Sequence, residues 1–199
     1  MIFIITFCIV FGLGFFGWLA SKGKNDELGK KDGFIIVTFF WLILAVAGSI
    51  PFALSGMSFV DAFFESMSGI TTTGSTILDD IERSSKGVLI WRAILQWLGG
   101  IGIVVMAITV LPLLNIGGMS LFKSEGAEFE KILPSSKEIA MVCTKIYFIL
   151  TAICALCFYL FGMNAFDAVA HSLTTISTGG FSTYSGSIGQ FNSVSIEII

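Results

Sequence analysis

Residues 56–74 read GMSFVDAFFESMSGITTTG and residues 162–180 read GMNAFDAVAHSLTTISTGG, so one motif occurs twice at a constant offset of 106 positions without a gap. Gly56/Gly162, Met57/Met163, Asp61/Asp167, Ala62/Ala168, Ser66/Ser172, Ile70/Ile176 and Gly74/Gly180 coincide. Each copy follows a long apolar stretch, and each ends in a Thr/Ser/Gly run. The fold must therefore house the same unit twice: an apolar span, a short amphipathic segment and a polar loop. Hydroxyls and glycine backbone placed at membrane depth predict the lining of a passage.

Composition fits a membrane protein. Apolar residues make up 55% of the chain, Phe alone supplies 20 residues and only 13% are charged, outside the soluble range. Met1–Ala20, Phe34–Leu54, Val88–Leu114 and Ile139–Phe161 are each long enough to cross a bilayer, which takes roughly 20 residues. A fifth stretch begins at Val194–Ile199. The first has no basic residue before its apolar run and no small-x-small cleavage site, so it is expected to be a retained helix rather than a signal peptide. The net charge of −3 predicts no nucleic-acid partner. Cys8, Cys143, Cys154 and Cys157 all fall in apolar stretches, where thiols act as small hydrophobes. Cys154 and Cys157 form a C-x-x-C; with no second pair and no nearby histidine, a metal or redox role is disfavoured.

Orientation follows from the lysines. Lys22, Lys24, Lys30 and Lys31 lie between the first two spans, and Lys123, Lys131 and Lys137 between the third and fourth. Short loops rich in Lys and Arg stay cytoplasmic. Both repeated Thr/Gly runs then enter from the outer side.

Ser58 and Asn164 are good helix N-caps, and Asp61 and Asp167 follow three residues later, as in a capping box. A short helix is expected from near residue 59 to Gly69, and again from near 165 to Thr175. Each is too short to cross, and at membrane depth irregular backbone beyond it needs protein or water around it. This is the pattern of a re-entrant pore helix and loop. The C-terminal end of such a helix carries partial negative charge and favours a cation beyond it. There the chain offers Ile70-Thr71-Thr72-Thr73-Gly74 and Ile176-Ser177-Thr178-Gly179-Gly180. Extended backbone is expected to aim carbonyl oxygens at the axis, and rings of carbonyls replace the hydration shell of an alkali cation. The hydroxyls either add oxygens or brace the loop. Neither run holds a carboxylate, which favours a monovalent cation, potassium over sodium.

Asp61–Gly74, the run WRAILQWLGGIG from Trp91 to Gly102, and His171 through Thr183 resemble the Trk/Ktr family of potassium-uptake proteins, close to its Trk-type integral membrane subunit. The likeness extends over essentially the whole chain. It implies an all-α membrane protein of repeated helix–pore loop–helix units with re-entrant half-helices, part of a four-repeat cation pore preceded by two extra helices. It implies a multi-pass protein of a bacterial-type inner (plasma) membrane, a homodimer when complete, and a cytosolic nucleotide-binding regulatory partner. It places potassium, the transported ion and not a cofactor, against Thr72, Thr73, Thr178 and Gly179, flanked by Thr71, Gly74, Ser177 and Gly180. No enzyme activity or other cofactor is expected. Residues 1–33 read as an extra helix with its basic loop, 34–138 as the first repeat with its cytoplasmic loop, and 139–199 as a second repeat stopping before its closing helix. Two filter segments of four are then present, as in a fragment. Passive flux and symport with sodium or protons both stay open, as do a non-conducting fragment assembling with a full-length relative and a membrane thiol-redox protein.

Other positions carry competing readings. Gly12-Leu-Gly14-Phe-Phe-Gly17 matches a dinucleotide fingerprint, but it lies inside an apolar span, which favours helix packing. Arg92 and Gln96 sit beside Trp91 and Trp97 near the outer end of the third span, where interfacial anchoring or bracing of a pore loop outweighs an ion-pathway role. Lys145 is expected near the cytoplasmic interface, snorkelling. Glu65 and His171 occupy equivalent positions and are expected to hydrogen-bond behind the filter rather than tune the ion field. A lone histidine makes a metal site unlikely on sequence grounds. Asp79, Asp80 and Glu82 form either a cation-concentrating cluster or an ordinary solvated loop. The Glu125–Glu138 loop mixes signs and could meet a cytosolic partner.

Overall fold

A computed structural model describes residues 1–22, 30–110 and 136–199. The helices are α1 (Ile2–Ser21), α2 (Lys30–Leu54), α3 (Phe59–Ile70), α4 (Lys86–Val110), α5 (Ser136–Leu160), α6 (Ala165–Ile176) and the short α7 (Val194–Ile198), with a 3₁₀ turn at Ser187–Phe191. No strand occurs among the described residues. Helices α1, α2, α4 and α5 are long and apolar enough to span a membrane, and they coincide with the four apolar stretches. The third stretch is helical to Val110; its continuation to Leu114, the lysines at 24, 123 and 131, and most of the mixed-sign loop lie outside the described residues. The fifth stretch contains the five-residue α7.

The long helices differ in how far the described residues enclose them. Along α1, α2 and α5, large apolar side chains such as Phe7, Phe16, Ile43, Ile149 and Leu156 are exposed. That is the expected distribution where hydrocarbon rather than water covers the surface, since the backbone is already satisfied within each helix. Helix α4 is the most enclosed of the four. It packs against both short helices, α3 and α6, as well as against α5.

Two apolar clusters fix this arrangement. Ala45 and Phe52 of α2, Ala62 and Ile70 of α3, and Val88 and Leu95 of α4 form the first. Cys154 and Phe158 of α5, Ala168 of α6, Met163 and Ile196 form the second. Cys154 is thus buried as a small apolar residue and Cys157 is half-buried, both as free thiols. Polar ties anchor both neighbours to α2: Ser66 of α3 donates to the Ala45 carbonyl at 2.7 Å, and Trp91 Nε1 of α4 donates to the Gly48 carbonyl at 2.9 Å. The glycines of the G-x-G-x-x-G run lie within α1. No described atom outside their own helix lies within 4 Å of a Cβ built on Gly12, Gly14 or Gly17. The helix partner expected for them is therefore not among the described residues.

Candidate functional site

Each short helix starts as its cap residues dictate. Ser58 Oγ accepts from the Asp61 backbone N–H at 3.2 Å and donates to Asp61 Oδ2 at 2.7 Å. Asn164 Oδ1 accepts from the Asp167 N–H at 3.0 Å, and its Nδ2 donates to Asp167 Oδ2. Side chains at N-cap satisfy donors the helix itself leaves open. The copies then diverge. Asp61 is exposed, whereas Asp167 is buried and also accepts from Thr183 Oγ1 at 2.8 Å and the Tyr184 hydroxyl at 2.9 Å.

Both helices end in one geometry. The Thr72 N–H donates to the Gly69 carbonyl and the Thr73 N–H to the Ser68 carbonyl, each at 2.9 Å. One repeat later, the Thr178 N–H donates to the Thr175 carbonyl at 2.9 Å and the Gly179 N–H to the Thr174 carbonyl at 2.8 Å. These are paired Schellman closures, which require a left-handed residue just past the cap and normally use glycine there. Here the left-handed residues are Thr72 and Thr178, each with φ 55°. The simple extended run expected from the sequence is thus corrected: the chain reverses hand at the first step out of each helix. Glycine follows at Gly74 (φ 78°) and Gly180 (φ 83°).

A β-branched residue in the left-handed region is strained, by about 1–2 kcal/mol. Thr178→Gly in the full-length protein is therefore expected to raise its thermal midpoint. The expected gain is roughly 0.5–1 kcal/mol, because glycine's greater chain entropy offsets part of the relief. A lowered midpoint would show that the threonine's own contacts outweigh the strain.

The hydroxyls brace the loops. Thr71 donates to the Met67 carbonyl at 2.7 Å, so the 2.8 Å contact between Thr71 Oγ1 and Thr73 Oγ1 uses the Thr73 proton. Ser177 donates to the Leu173 carbonyl at 2.8 Å, and Ser68 to the Ser75 carbonyl at 2.6 Å. Of the eight predicted site positions, Thr71, Thr73, Thr178 and Gly180 are exposed, Thr72 and Gly74 half-buried, and Ser177 and Gly179 buried. The two runs meet: a Cβ on Gly74 would lie 2.2 Å from the Gly179 carbonyl oxygen.

Helix α4 stands behind both runs, bonding to Glu65 of α3 on one side and to the second loop on the other. Arg92 Nε donates to Glu65 Oε1 at 2.6 Å, with both side chains sealed from solvent. Glu65 also accepts from the Thr76 hydroxyl at 2.9 Å and the Ile77 N–H at 3.1 Å. Arg92 Nη1 reaches the Ser182 carbonyl at 3.2 Å, and the guanidinium carbon lies 4.1 Å from the centre of the Phe181 ring. Gln96 Nε2 donates to the Gly179 carbonyl at 2.8 Å, while its Oε1 accepts from the Phe181 N–H at 3.1 Å. Further along, a Cβ on Gly99 would meet the Ile70 carbonyl oxygen at 2.0 Å, and one on Gly100 would meet Ser177 Cβ at 2.9 Å. Residues 92, 96, 99 and 100 share one face of a helix.

Glu65 and His171 make the same contact with different chemistry. Glu65 holds Thr76, and His171 Nε2 lies 3.0 Å from the hydroxyl of Ser182, the residue equivalent to Thr76. In both copies that hydroxyl oxygen accepts the N–H two residues on, from Leu78 at 3.1 Å and Tyr184 at 3.0 Å. His171 Nδ1 faces the Asp167 carbonyl at 2.9 Å. A carbonyl only accepts, so the neutral Nδ1–H tautomer, taking the Ser182 proton at Nε2, satisfies both contacts. Both residues lie behind the loops, as expected, and Arg92 and Gln96 are braces.

At the rim, Ser185 donates to Glu82 from its backbone N–H at 2.8 Å and its hydroxyl at 2.7 Å. These bonds hold the Glu82 carboxyl below its ordinary range. Glu82 thus ties the two outer loops together. Asp80 pairs with exposed Arg83 at 2.9 Å, and Asp79 is exposed. Among the described residues, no group of three or more His, Cys, Asp and Glu side chains is placed to hold a metal ion.

All 199 residues match the family described as TrkH, a cation transport protein. The chain belongs to that family. It is similar to the Trk system potassium uptake protein TrkH of Vibrio parahaemolyticus, with 42% identity over 203 residues. That alignment covers 99% of this chain and 42% of the relative. Similarity to TrkG of Escherichia coli K12 is 39% over 204 residues, again 42% of the relative's length. The crystal structure of the potassium transporter TrkH from Vibrio parahaemolyticus superposes with a TM-score of 0.85 at 41% identity, over 99% of this chain and 40% of that one. The chain therefore spans about two fifths of the relatives it matches, as a multi-pass inner-membrane protein of the TrkH family.

Three features of the site escaped the sequence reading. The Asp167 cluster needs the fold, because Thr183 and Tyr184 return to it only after the loop turns. The left-handed threonines carry no compositional signal. The Gly99–Gly100 approach did leave one: from Arg92, the polar and small residues at i+4, i+7 and i+8 interrupt an apolar span on a single face.

Proposed function

We propose that this chain supplies two filter segments of a potassium-uptake protein in a bacterial plasma membrane, a transporter subunit and not an enzyme. The short helices α3 and α6 are re-entrant, and backbone carbonyls of Thr72, Thr73, Thr178 and Gly179, flanked by Thr71, Gly74, Ser177 and Gly180, replace water around a dehydrated monovalent cation. The observation that carries this reading is the identical closure of the two helices. Each ends in a left-handed threonine followed two residues on by a left-handed glycine, and the two runs abut at Gly74 and Gly179. Each closure satisfies carbonyls inside its helix and leaves the helix's negative pole facing the loop beyond. The Gly179 carbonyl already accepts from Gln96 and retains a second lone pair.

Relatives of this chain are named potassium uptake proteins, which agrees with the choice of ion. In the complete protein the remaining segments close the ring, two copies form the homodimer, and a cytosolic nucleotide-binding subunit regulates flux.

Rubidium uptake by potassium-uptake-deficient bacteria carrying the full-length gene tests the assignment. Gly180→Ala is the informative variant: among the described residues a Cβ there meets nothing within 4 Å, while the φ of +83° is one that alanine resists. Its potassium-over-sodium preference is expected to fall about tenfold, the effect of a 1.4 kcal/mol distortion. Unchanged preference in a normally expressed protein would remove Gly180 from the filter.

A further inference from the structure

We infer that Gln96 is a positioning residue for ion preference: its carboxamide, mounted on α4 in the first repeat, fixes the direction of the Gly179 carbonyl in the second. The inference rests on the filter reading above.

The geometry is specific at both ends of one side chain. Nε2 donates to the Gly179 carbonyl at 2.8 Å, and Oε1 accepts from the Phe181 N–H at 3.1 Å. A carboxamide carries both a donor and an acceptor, so it spans the two peptide groups flanking Gly180 and holds both at once. Gln96 is 0% exposed, so bulk water does not compete with it for these two peptide groups. The fit is close on the loop side too: a Cβ on Gly179 would lie 2.3 Å from the Gln96 carboxamide carbon. Residue 179 must therefore be glycine for this clamp to reach the backbone.

The clamp also sets what the carbonyl can do. One lone pair of the Gly179 oxygen is committed to Gln96, which fixes the plane in which the other is available. The same oxygen also sits against Gly74, which limits its swing. Discrimination between potassium and the smaller sodium requires carbonyls that do not collapse onto the smaller ion. A carbonyl held by a buried donor resists that collapse, and a free one follows the ion inward. Arg92, one turn earlier on α4, holds the Ser182 carbonyl in the same loop, so the segment is fixed at both ends from one helix.

Gln96→Glu and Gln96→Met in the full-length protein separate positioning from bulk. Glutamate keeps nearly the same shape and still accepts from Phe181; ionised, it cannot donate to Gly179, whereas a proton taken up in so dry a site restores a donor, so its preference is read across a range of pH. Methionine keeps the length and loses both bonds. Potassium-over-sodium preference, measured by competition for rubidium uptake and normalised to protein in the membrane, is expected to fall about tenfold in both. Gln96→Glu is expected to bind all monovalent cations at least as tightly as the parent, because it adds negative charge beside the loop. Preference retained in both variants while Gly180→Ala loses it would overturn the role of Gln96 and leave the filter assignment standing. Preference retained in all three would overturn the filter assignment itself. Should Gln96→Met not reach the membrane, Gln96→Leu, which likewise has neither donor nor acceptor, takes its place.

Discussion

Arg92→Met is expected to destabilise the full-length protein by about 3–5 kcal/mol, the largest effect of any single side-chain change in this part of the molecule. The cause is what is left behind. Glu65 is 0% exposed, and without Arg92 its carboxylate stays in a dry pocket with only the Thr76 hydroxyl and Ile77 N–H as donors. Those bonds keep the cost below that of a bare buried charge, but the loop that follows α3 must loosen to bring water to the carboxylate. The Ser182 carbonyl loses its donor in the same step. Glu65→Gln made together with Arg92→Met removes the charge while keeping acceptor and donor atoms for Thr76 and Ile77. The double variant is expected to recover at least half of the loss, because replacing a whole buried pair by neutral groups is far milder than breaking it. Thermal midpoints of the detergent-purified protein measure both. A single variant within 1 kcal/mol of the parent would mean that the pair is not sealed from water in the assembled molecule.

Gly99→Ala is the second large expected effect, and it acts purely by volume. The added methyl carbon would stand 2.0 Å from the Ile70 carbonyl oxygen, 2.7 Å from its carbon and 3.1 Å from its Cα. All three are backbone atoms, so no side chain can swing away, and the end of α3 must shift. Overpacking of this kind costs about 1–3 kcal/mol, and the absence of a rotamer escape places this site at the upper end. Because Ile70 directly precedes Thr71–Gly74, the shift is also expected to lower potassium-over-sodium preference. Gly102→Ala is the paired control. Among the described residues its Cβ would touch only the Trp41 ring at 3.5 Å, an ordinary contact, and alanine's helix propensity favours it by up to about 1 kcal/mol. Equal thermal midpoints and ion preferences for the two variants would refute the close approach of α3 to α4.

Much of this architecture was legible because its signals are local. The span lengths, the N-caps at Ser58 and Asn164, and the helix ends near residues 70 and 176 are set by residues within a turn or two of each other. The equivalence of Glu65 and His171 was also readable, since it needs only the repeat offset. What they touch was not. Thr76 and Ser182 come within reach only after a reversal made by left-handed threonines, a conformation that β-branched residues resist. The braces are harder still. Gln96 meets Gly179 and Arg92 meets Ser182 across more than 80 residues of chain, and no periodicity within α4 says which loop it will face. The glycines of α1 are the converse case: their spacing suggested a close helix partner that the described residues do not provide.

The placement of α4 has a consequence for how a duplicated chain can diverge. Helix α4 follows the first motif in sequence, but Arg92 and Gln96 make bonds to the loop of the second. The halves are therefore no longer interchangeable spare parts. Glutamate at 65 has a guanidinium to meet, whereas the same residue at 171 would face the Asp167 carbonyl, another acceptor. Two segments that share one motif form a matched lock in which each holds its own side of the joint. Substitutions at 65, 92, 96, 171 and 182 are thus constrained as a set rather than one by one.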